Sequence, residues 1–488
     1  MVPAIDATAT VYKTDLLLSG DIKTALKAAV APLEDVPAAE QDWHPDSDEK
    51  VLDLVHPSLY PLLYGRSRAL LDNVVPLDGC LQYIGEGITV PKPASDELAY
   101  EKDKLWGGRN RHPDVVYSAR FQWLPCEVDF SDDGATQITS YINNLHPVQH
   151  KELYGVLEKV LAGVIPMWDK CLTSVNAWFQ RKPRIDGNES HYADAGEPPK
   201  DELARLIEAV DPEEYGFDPE DREAAAREQW EHAHRVLVQP EPRYGHRPEG
   251  PHARDIVDLR KDFAHQGLQV IVKLANIHLT PEKPTYAGGS WHIEGSLNEH
   301  ICASALYYYD CENITDSYLA FREAMDTYLH DWGYEQDDYG HIEKMLGIEQ
   351  HGPGIQELGR VLTKEGRLLA FPNVLQHRVE PFELADRSRP GHRKILALFL
   401  VDPYLRIPST ANVPPQQKEW WKELALRSCP NLGDLPPELA EQVFQMSDLP
   451  IDLQEAKRLR LELMQERKVF VEAADEKLHE ATFSFCEH

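Results

Sequence analysis

The stretch YAGGSWHIEG, residues 286–295, places an imidazole and a carboxylate two residues apart, directly after a glycine pair. In a strand, alternate side chains share a face, so His292 and Glu294 project the same way. A neutral imidazole and a carboxylate on one face are two of the three donors of a common metal site. On a wet strand surface the same two residues would be an ordinary solvated pair. The triplet alone does not decide between these readings.

A second histidine bears on the choice. His377 begins a later strand, directly after RLLAFPNVLQ. A barrel brings sequence-distant strand ends together, so His292, Glu294 and His377 can converge on one octahedral metal. Two histidines and one carboxylate leave three positions open, the arrangement used for oxygen chemistry at non-haem Fe(II). Zinc competes for the same donors, since three protein ligands also serve tetrahedral catalytic zinc. Arg393 then opens the strand RKILALFLVDP. Its guanidinium can grip a carboxylate with two parallel hydrogen bonds. On alternation Arg393, Ile395, Ala397 and Phe399 share one face, and Lys394 points the other way. His146 and His150, four apart, could share a helix face. Pro147 makes that stretch a helix start, however, and no third ligand is near.

These side chains need a scaffold, and strand signals concentrate between residues 267 and 403. The segments 267–280, 301–310, 366–372, 376–384 and 393–403 are rich in β-branched and aromatic residues and bounded by Gly, Pro and Asp. Successive strands without long intervening helices favour an antiparallel sandwich or barrel. A helical insert at about 316–362 is expected to interrupt them. Elsewhere the spacing predicts a helix over 15–35, a polar connector over 36–50, and a helix from Gln149 onward. Residues 181–255 are dominated by charge, proline and glycine, with room for exposed helices at 200–210 and 219–235 and little to build a core. Beyond about residue 414 the pattern is helical. The expected division is a mixed helical N-terminal region (1–180), a charged insertion or arm (181–260), a catalytic core (261–410) and C-terminal helices (411–488).

Composition narrows the partners. The chain has 488 residues, 42% hydrophobic and 27% charged, as in ordinary globular proteins. Its longest strongly apolar run, ILALFLV (395–401), falls far short of the ~20 residues a membrane helix needs, so no membrane partner is expected. The N-terminus does not read as a signal peptide. Seven cysteines are scattered without a Cys-x-x-Cys pair. That argues against a disulfide scaffold or zinc ribbon and for a reducing, cytoplasmic setting. The Asn-x-Ser/Thr triplets at Asn188 and Asn313 are then irrelevant to glycosylation. A net charge of −32 repels phosphate backbones, so nucleic acid is not an expected substrate. It leaves room for a small-molecule substrate, including a cationic one. Oligomeric state is not legible.

Residues 286–403 resemble the double-stranded β-helix of the Fe(II)/2-oxoglutarate-dependent dioxygenases, closest to the prolyl-hydroxylase branch. The matching pieces are HIEGSLNEHICASALYYYD, GRLLAFPNVLQHRVEP and GHRKILALFLVD. The whole chain also resembles a mainly fungal family known as domain of unknown function 4246, through DLVHPSLYPLLYGRSR, FQWLPCEVDF and STANVPPQQKEWW. The narrower family brings no settled substrate.

The resemblance implies an α+β fold: a jelly-roll, cupin-like barrel carrying large helical N-terminal, insert and C-terminal segments. It implies Fe(II) bound by His292, Glu294 and His377, the residues at which catalysis takes place. It implies 2-oxoglutarate as co-substrate, its distal carboxylate paired with Arg393 and helped by the hydroxyl of Tyr308. Tyr308 reads equally well as a core aromatic among three tyrosines. Glu294 stands where the family's usual residue is Asp, a departure that leaves coordination geometry and the metal open. The implied activity is oxidation of an unactivated C–H bond of a small molecule, such as an amino acid or amine, with release of succinate and CO2. Two other readings stay open. One is a non-catalytic metal-binding interaction module; the other is a cupin-like metalloenzyme that does not use 2-oxoglutarate and so has no need of Arg393.

Overall fold

A computed structural model describes the chain except residues 8, 72, 95–116, 132, 178–188, 212–217, 242–250, 326–338, 447–449, 481 and 486–488. It divides into two compact units. The first comprises Met1–Gln180, Pro251–Glu323 and Leu358–Lys477; the second comprises Arg181–Gly250, Ala324–Glu357 and Leu478–His488.

In the first unit the elements that matter here run in chain order. They are β1 (Val2–Asp6), β2 (Thr10–Thr14), α1 (Gly20–Glu34), β3 (Val51–Val55), β4 (Cys126–Phe130), β5 (Thr136–Ile138) and α2 (Lys151–Asn176). Then follow β6 (Leu268–Leu279), β7 (Thr285–Tyr286), β8 (Ile301–Glu312), β9 (Tyr318–Ala324), β10 (Ile355–Leu362) and β11 (Arg367–Pro372). Last come β12 (Gln376–Val379), β13 (Phe382–Glu383), β14 (Gly391–Val401), α3 (Lys418–Ser428) and α4 (Leu453–Glu480).

A nine-stranded sheet runs β1-β2-β11-β8-β14-β6-β4-β5, with β3 also paired to β6. All its pairings are antiparallel. A three-stranded sheet runs β10-β9-β12, and β7 pairs with β13. Strand alternation divides the large sheet's two faces. Leu268, Val270, Val272 and Leu274 of β6 join a core with α1 and α2. Helix α2 supplies Leu153, Leu157, Val160, Leu161, Val164 and Trp168 to it, the i, i+3, i+4 stripe of a helix with one buried face. Helix α1 begins where Ser19 caps the Ile22 N–H and Asp21 lies in the first turn, and it contributes Leu26 and Val30. The opposite face offers Ile271, Leu306, Tyr308, Ala397 and Phe399, which share a second core with Leu319, Phe321 and Leu375. Since Leu319 and Phe321 belong to β9, this second core lies between the two sheets.

The result is a mixed helix-and-sheet fold with a large antiparallel sheet. Among the described residues no strand pairing closes the large sheet on itself, so the expected barrel is seen as two facing sheets. Residues 316–362, expected as a helical insert, contain β9 and β10, and their described helix is confined to Gly340–Leu346. The Leu, Ala, Arg and Glu of Tyr318–Ala324 favour a helix locally. Burial of Leu319 and Phe321 and pairing with β12 override that preference. Residues 326–338 of that expectation lie outside the described residues. The N-terminal region, expected as mixed helical, holds α1 and α2 and also contributes β1 to β5 to the large sheet.

In the second unit, helices occupy Lys200–Ala209 and Pro219–His234, close to the two expected. They share a small core of Val210, Ala225 and Ala226. His191–Ala193 pairs with Val236–Val238, and Ile342, Ile348, Phe483 and Phe485 form another core. Parts of the 181–255 expectation (181–188, 212–217 and 242–250) lie outside the described residues. The six described cysteines are free, and no described helix is long and apolar enough to cross a membrane.

Candidate metal centre

The segment 286–295 reaches its place by a backbone device. Gly288 has φ +90, and a Cβ there would stand 2.7 Å from the Val379 carbonyl oxygen. Only glycine tolerates that approach in that conformation. Gly289 N–H then donates to the same carbonyl at 3.0 Å. Three residues on, His292 forms an isolated antiparallel bridge with His377. The N–H of His292 donates to the His377 carbonyl at 3.1 Å, and the N–H of His377 returns the bond at 2.9 Å. Sequence-distant histidines are thus fixed side by side through main chain, their ring centroids 4.5 Å apart.

Glu294 completes the set. Its Oε1 lies 3.3 Å from His377 Nε2 and 3.9 Å from His292 Nε2. One donor atom from each of the three residues falls within 4.8 Å of the others. Metal–ligand bonds of about 2.0–2.2 Å put adjacent donors roughly 3 Å apart, so small side-chain adjustments suffice to close on one ion. Asn373 holds the Glu294 backbone at both ends. Its Oδ1 accepts the Glu294 N–H at 2.9 Å, and its Nδ2 donates to the Glu294 carbonyl at 3.0 Å.

The two imidazoles are oriented differently. His292 Nδ1 lies 2.8 Å from the Ser290 carbonyl, which fixes the proton on Nδ1 and leaves the Nε2 lone pair for a ligand. His377 is 3% exposed and is held by packing against Phe371 (centroids 4.8 Å) and Phe321 (6.2 Å). Its Nδ1 has no hydrogen-bond partner. Trp291, next to His292, lies between two guanidiniums, Arg322 at 4.6 Å and Arg378 at 4.5 Å from its ring centroid.

Protonation states suit a cation. Burial, then the charge of His377, pushes the His292 imidazole down to about 4. Burial would raise the Glu294 carboxyl, but the hydrogen bond with His377 and the charges of both imidazoles hold it down to about 2. At neutral pH His292 therefore offers a lone pair and Glu294 an anion, as metal binding requires.

Arg393 and Tyr308 meet on the inter-sheet side of the large sheet. Arg393 is 2% exposed, with its guanidinium over the rings of Phe382 (4.9 Å) and Tyr308 (5.5 Å). No described carboxylate pairs with it. Its Nε has no partner, and Nη1 reaches only Ser317 Oγ at 3.5 Å, the limit of a hydrogen bond. The Tyr308 hydroxyl is likewise buried without a partner. Lys394 points the other way and bonds Glu34 at 2.8 Å. His146 and His150 form no metal set. His146 Nδ1 accepts the N–H groups of Val148 and Gln149 at the start of α2.

Sequence reasoning missed four participants. Asn373 carried no signal beyond its place after a strand. Lys273, a lone lysine within apolar β6, acts electrostatically on His292 and Glu294. Arg467, from α4, stacks over Trp123 at 3.7 Å, pairs with Glu299 at 2.6 Å, and also feels Glu294. Glu299 itself, with its side chain fully buried, receives the Trp123 N–H at 2.8 Å.

Most of the chain matches a protein family that has been defined without a function. The model of a protein of unknown function, DUF4246, matches residues 1–424, and the chain belongs to that family. No curated protein sequence matches the chain. Among solved structures, the chain is similar to the selenomethionine-labelled Fe(II)/α-ketoglutarate-dependent dioxygenase TqaL at 12% identity and TM-score 0.19, over 52% of this chain and 84% of that one. A bsmA homologue from Methylobium petroleophilum PM1 gives 14% identity and TM-score 0.17, over 30% of this chain and 46% of that one. IDO from Bacillus thuringiensis gives 11% and 0.19, over 41% and 97%. Likeness at this level carries no argument about function.

Proposed function

We propose that the chain is an Fe(II)- and 2-oxoglutarate-dependent oxygenase that oxidises an unactivated C–H bond of a small molecule, such as an amino acid or amine, in the cytoplasm. One observation carries the reading: Arg393 is a buried cation with no anionic partner among the described residues. Removing a charge from water without a partner costs several kcal/mol. A site that keeps such a charge is built for an anionic guest, and Tyr308 adds an unpartnered hydroxyl beside it. The distal carboxylate of 2-oxoglutarate satisfies both. A cupin-like metalloenzyme or a metal-binding interaction module would leave Arg393 unexplained.

The sheet arrangement supports a double-stranded β-helix. Between residues 268 and 401 the chain visits the large sheet (β6), the bridge at His292, the large sheet (β8), the small sheet (β9, β10), the large sheet (β11), the small sheet (β12) and the large sheet (β14). That to-and-fro is how a jelly roll places successive strands in facing sheets.

His292, Glu294 and His377 would hold the iron on three sides and leave the others open. With iron and 2-oxoglutarate bound, the chemistry supplied is C–H oxidation by O2 coupled to loss of CO2 from the keto acid, which becomes succinate. This chain's own residues prepare for it. Ser290 holds the His292 proton on Nδ1, Asn373 fixes the Glu294 backbone, and Phe321 and Phe371 keep water from His377. Arg393 and Tyr308 anchor the keto acid's far end. The test is turnover of 2-oxoglutarate to succinate by the purified chain with Fe(II) and O2, followed by screening amines and amino acids for stimulation. Iron-dependent succinate formation is expected; its absence from iron-loaded, folded protein, together with no 2-oxoglutarate binding, would remove the reading.

A further inference from the structure

A second group of two histidines and a carboxylate meets in the first unit, away from the triad's own segments. His44 lies in the connector before β3, Asp53 on β3, and His56 just beyond its end. One donor atom from each falls within 4.8 Å of the others. The connector folds back on β3 to achieve this: His44 N–H donates to the Val51 carbonyl at 2.8 Å, and Asp53 N–H donates to the Asp42 carbonyl at 2.9 Å. His44 Nδ1 lies 2.8 Å from Asp53 Oδ2, and the His44 and His56 ring centroids are 5.3 Å apart.

We propose that His44, Asp53 and His56 form a second divalent-cation site, separate from the triad, whose donor set suits zinc. Two imidazoles and one carboxylate are a recurrent three-ligand set for that ion. The Asp53 side chain is 1% exposed, yet its Oδ1 has no hydrogen-bond partner. A bare, buried carboxylate oxygen beside two imidazoles calls for a cation. Asp53 and His56 face a cavity of about 290 Å³ that is also lined by Glu40 and Glu419, with no lysine or arginine among its described lining residues. Such a wall concentrates cations and gives them a way in.

Three groups oppose the ion and set how tightly it is held. Arg460 Nη1 stands 3.5 Å from Asp53 Oδ2, but Asp42 grips that guanidinium at 2.6 and 3.0 Å and meets its charge. Lys273 acts on both Asp53 and His56 from β6 without bonding either. The Ser58 N–H donates to His56 Nδ1 at 3.1 Å, so ligation through Nε2 moves the ring proton and breaks that bond. The second site is therefore weaker than one whose tautomer is already set, and it depends on both histidines.

Zinc alone is the probe. In the full-length His292→Ala, His377→Ala double variant the first site has lost its imidazoles. Calorimetric titration with zinc chloride is expected to give one equivalent there. Adding His44→Gln and His56→Gln should weaken that binding at least ~10-fold, since even a residue that only orients a ligand is worth about 10–100-fold. Asp53→Asn, which keeps shape and removes charge, should do the same, and in the otherwise native chain it should lower the stoichiometry from two equivalents to one. Circular dichroism establishes that each variant is folded. A folded double variant that binds no zinc overturns the proposal, as does zinc binding that survives every second-site substitution. Neither outcome depends on whether the triad holds iron.

Discussion

His292 and His377 each donate a backbone N–H to the other's carbonyl, at 3.1 and 2.9 Å, so the distance between the two imidazoles is a property of sheet pairing. Side-chain packing then only has to aim the rings. This is why a site assembled from distant segments can be stiff, and why its weak point is the turn that delivers residues 290–294 to β12.

Gly288 is that turn. Alanine there would set a Cβ 2.7 Å from the Val379 carbonyl oxygen at φ +90. Strain of that kind costs of order 1–3 kcal/mol, relieved by lifting His292 away from His377. Gly288→Ala should lower the melting temperature and weaken metal binding together. Gly289→Ala is the control, because its Cβ would meet nothing closer than the Val379 nitrogen at 3.9 Å. Metal titration of both variants decides it; native affinity in Gly288→Ala would show that the turn does not set the site.

The triad variants separate ligation from folding. His292→Ala and His377→Ala should abolish iron binding at this centre; His377→Ala, which empties a buried place against Phe321 and Phe371, should also cost about 1–3 kcal/mol without unfolding so large a core. Glu294→Asp should keep part of the activity, and Glu294→Ala should lose nearly all of it. Iron analysis and 2-oxoglutarate turnover are the measurements. Full activity in Glu294→Ala would mean that the carboxylate is not a required ligand.

Much of this centre was legible because its parts are local patterns. His-x-Glu on an extended segment, a histidine opening a strand, and Arg393 and Lys394 on opposite faces of β14 all follow from a period of two. The strands β8 and β14 and helix α2 were equally plain, being long and strongly periodic. What escaped notice depends on pairing across hundreds of residues. Nothing in Thr10–Thr14 says that it will pair with Leu368–Ala370. Tyr318–Ala324 carries helix-forming residues and becomes a strand because β12 is there to receive it. His44, Asp53 and His56 have no metal-like spacing, and only the folded-back connector brings them together. Asn373 and Arg467 act through side-chain contacts that no periodicity encodes.

Acid should weaken the fold through His278. Burial, then the charges of His392 and Lys394, pushes its imidazole down to about 4. In the unfolded chain it titrates near its ordinary value, so the unfolded state binds more protons between about pH 6.5 and 4. Stability from this group is complete above that window and falls as pH drops through it. At about 1.4 kcal/mol per unit the ceiling is roughly 3 kcal/mol; partial accessibility of the ring brings the expected loss to on the order of 1–2 kcal/mol. Urea midpoints at pH 7 and pH 4.5, for wild type and His278→Gln, should show a shallower pH dependence in the variant. Parallel pH dependence would remove His278 from the account.

Arg393 separates the oxygenase from its rivals. Its guanidinium is buried and unmatched, whereas Lys394 on the opposite face is already paired with Glu34 at 2.8 Å and lies 3.6 Å from Asp310. A buried charge pair broken from one side costs about 3–5 kcal/mol. At about 1.4 kcal/mol per tenfold that is a factor of roughly 10²–10⁴ in affinity. Arg393→Ala should therefore raise the 2-oxoglutarate dissociation constant by about that factor while iron still binds the triad. Arg393→Lys should bind better than Ala and worse than wild type, because a point charge replaces a two-pronged donor. Lys394→Ala loses its bonds on the far face and should leave co-substrate affinity unchanged. Titrating 2-oxoglutarate into the iron-loaded proteins distinguishes the cases. Equal affinity in wild type and Arg393→Ala would leave the metal centre standing and remove the reason to assign it 2-oxoglutarate.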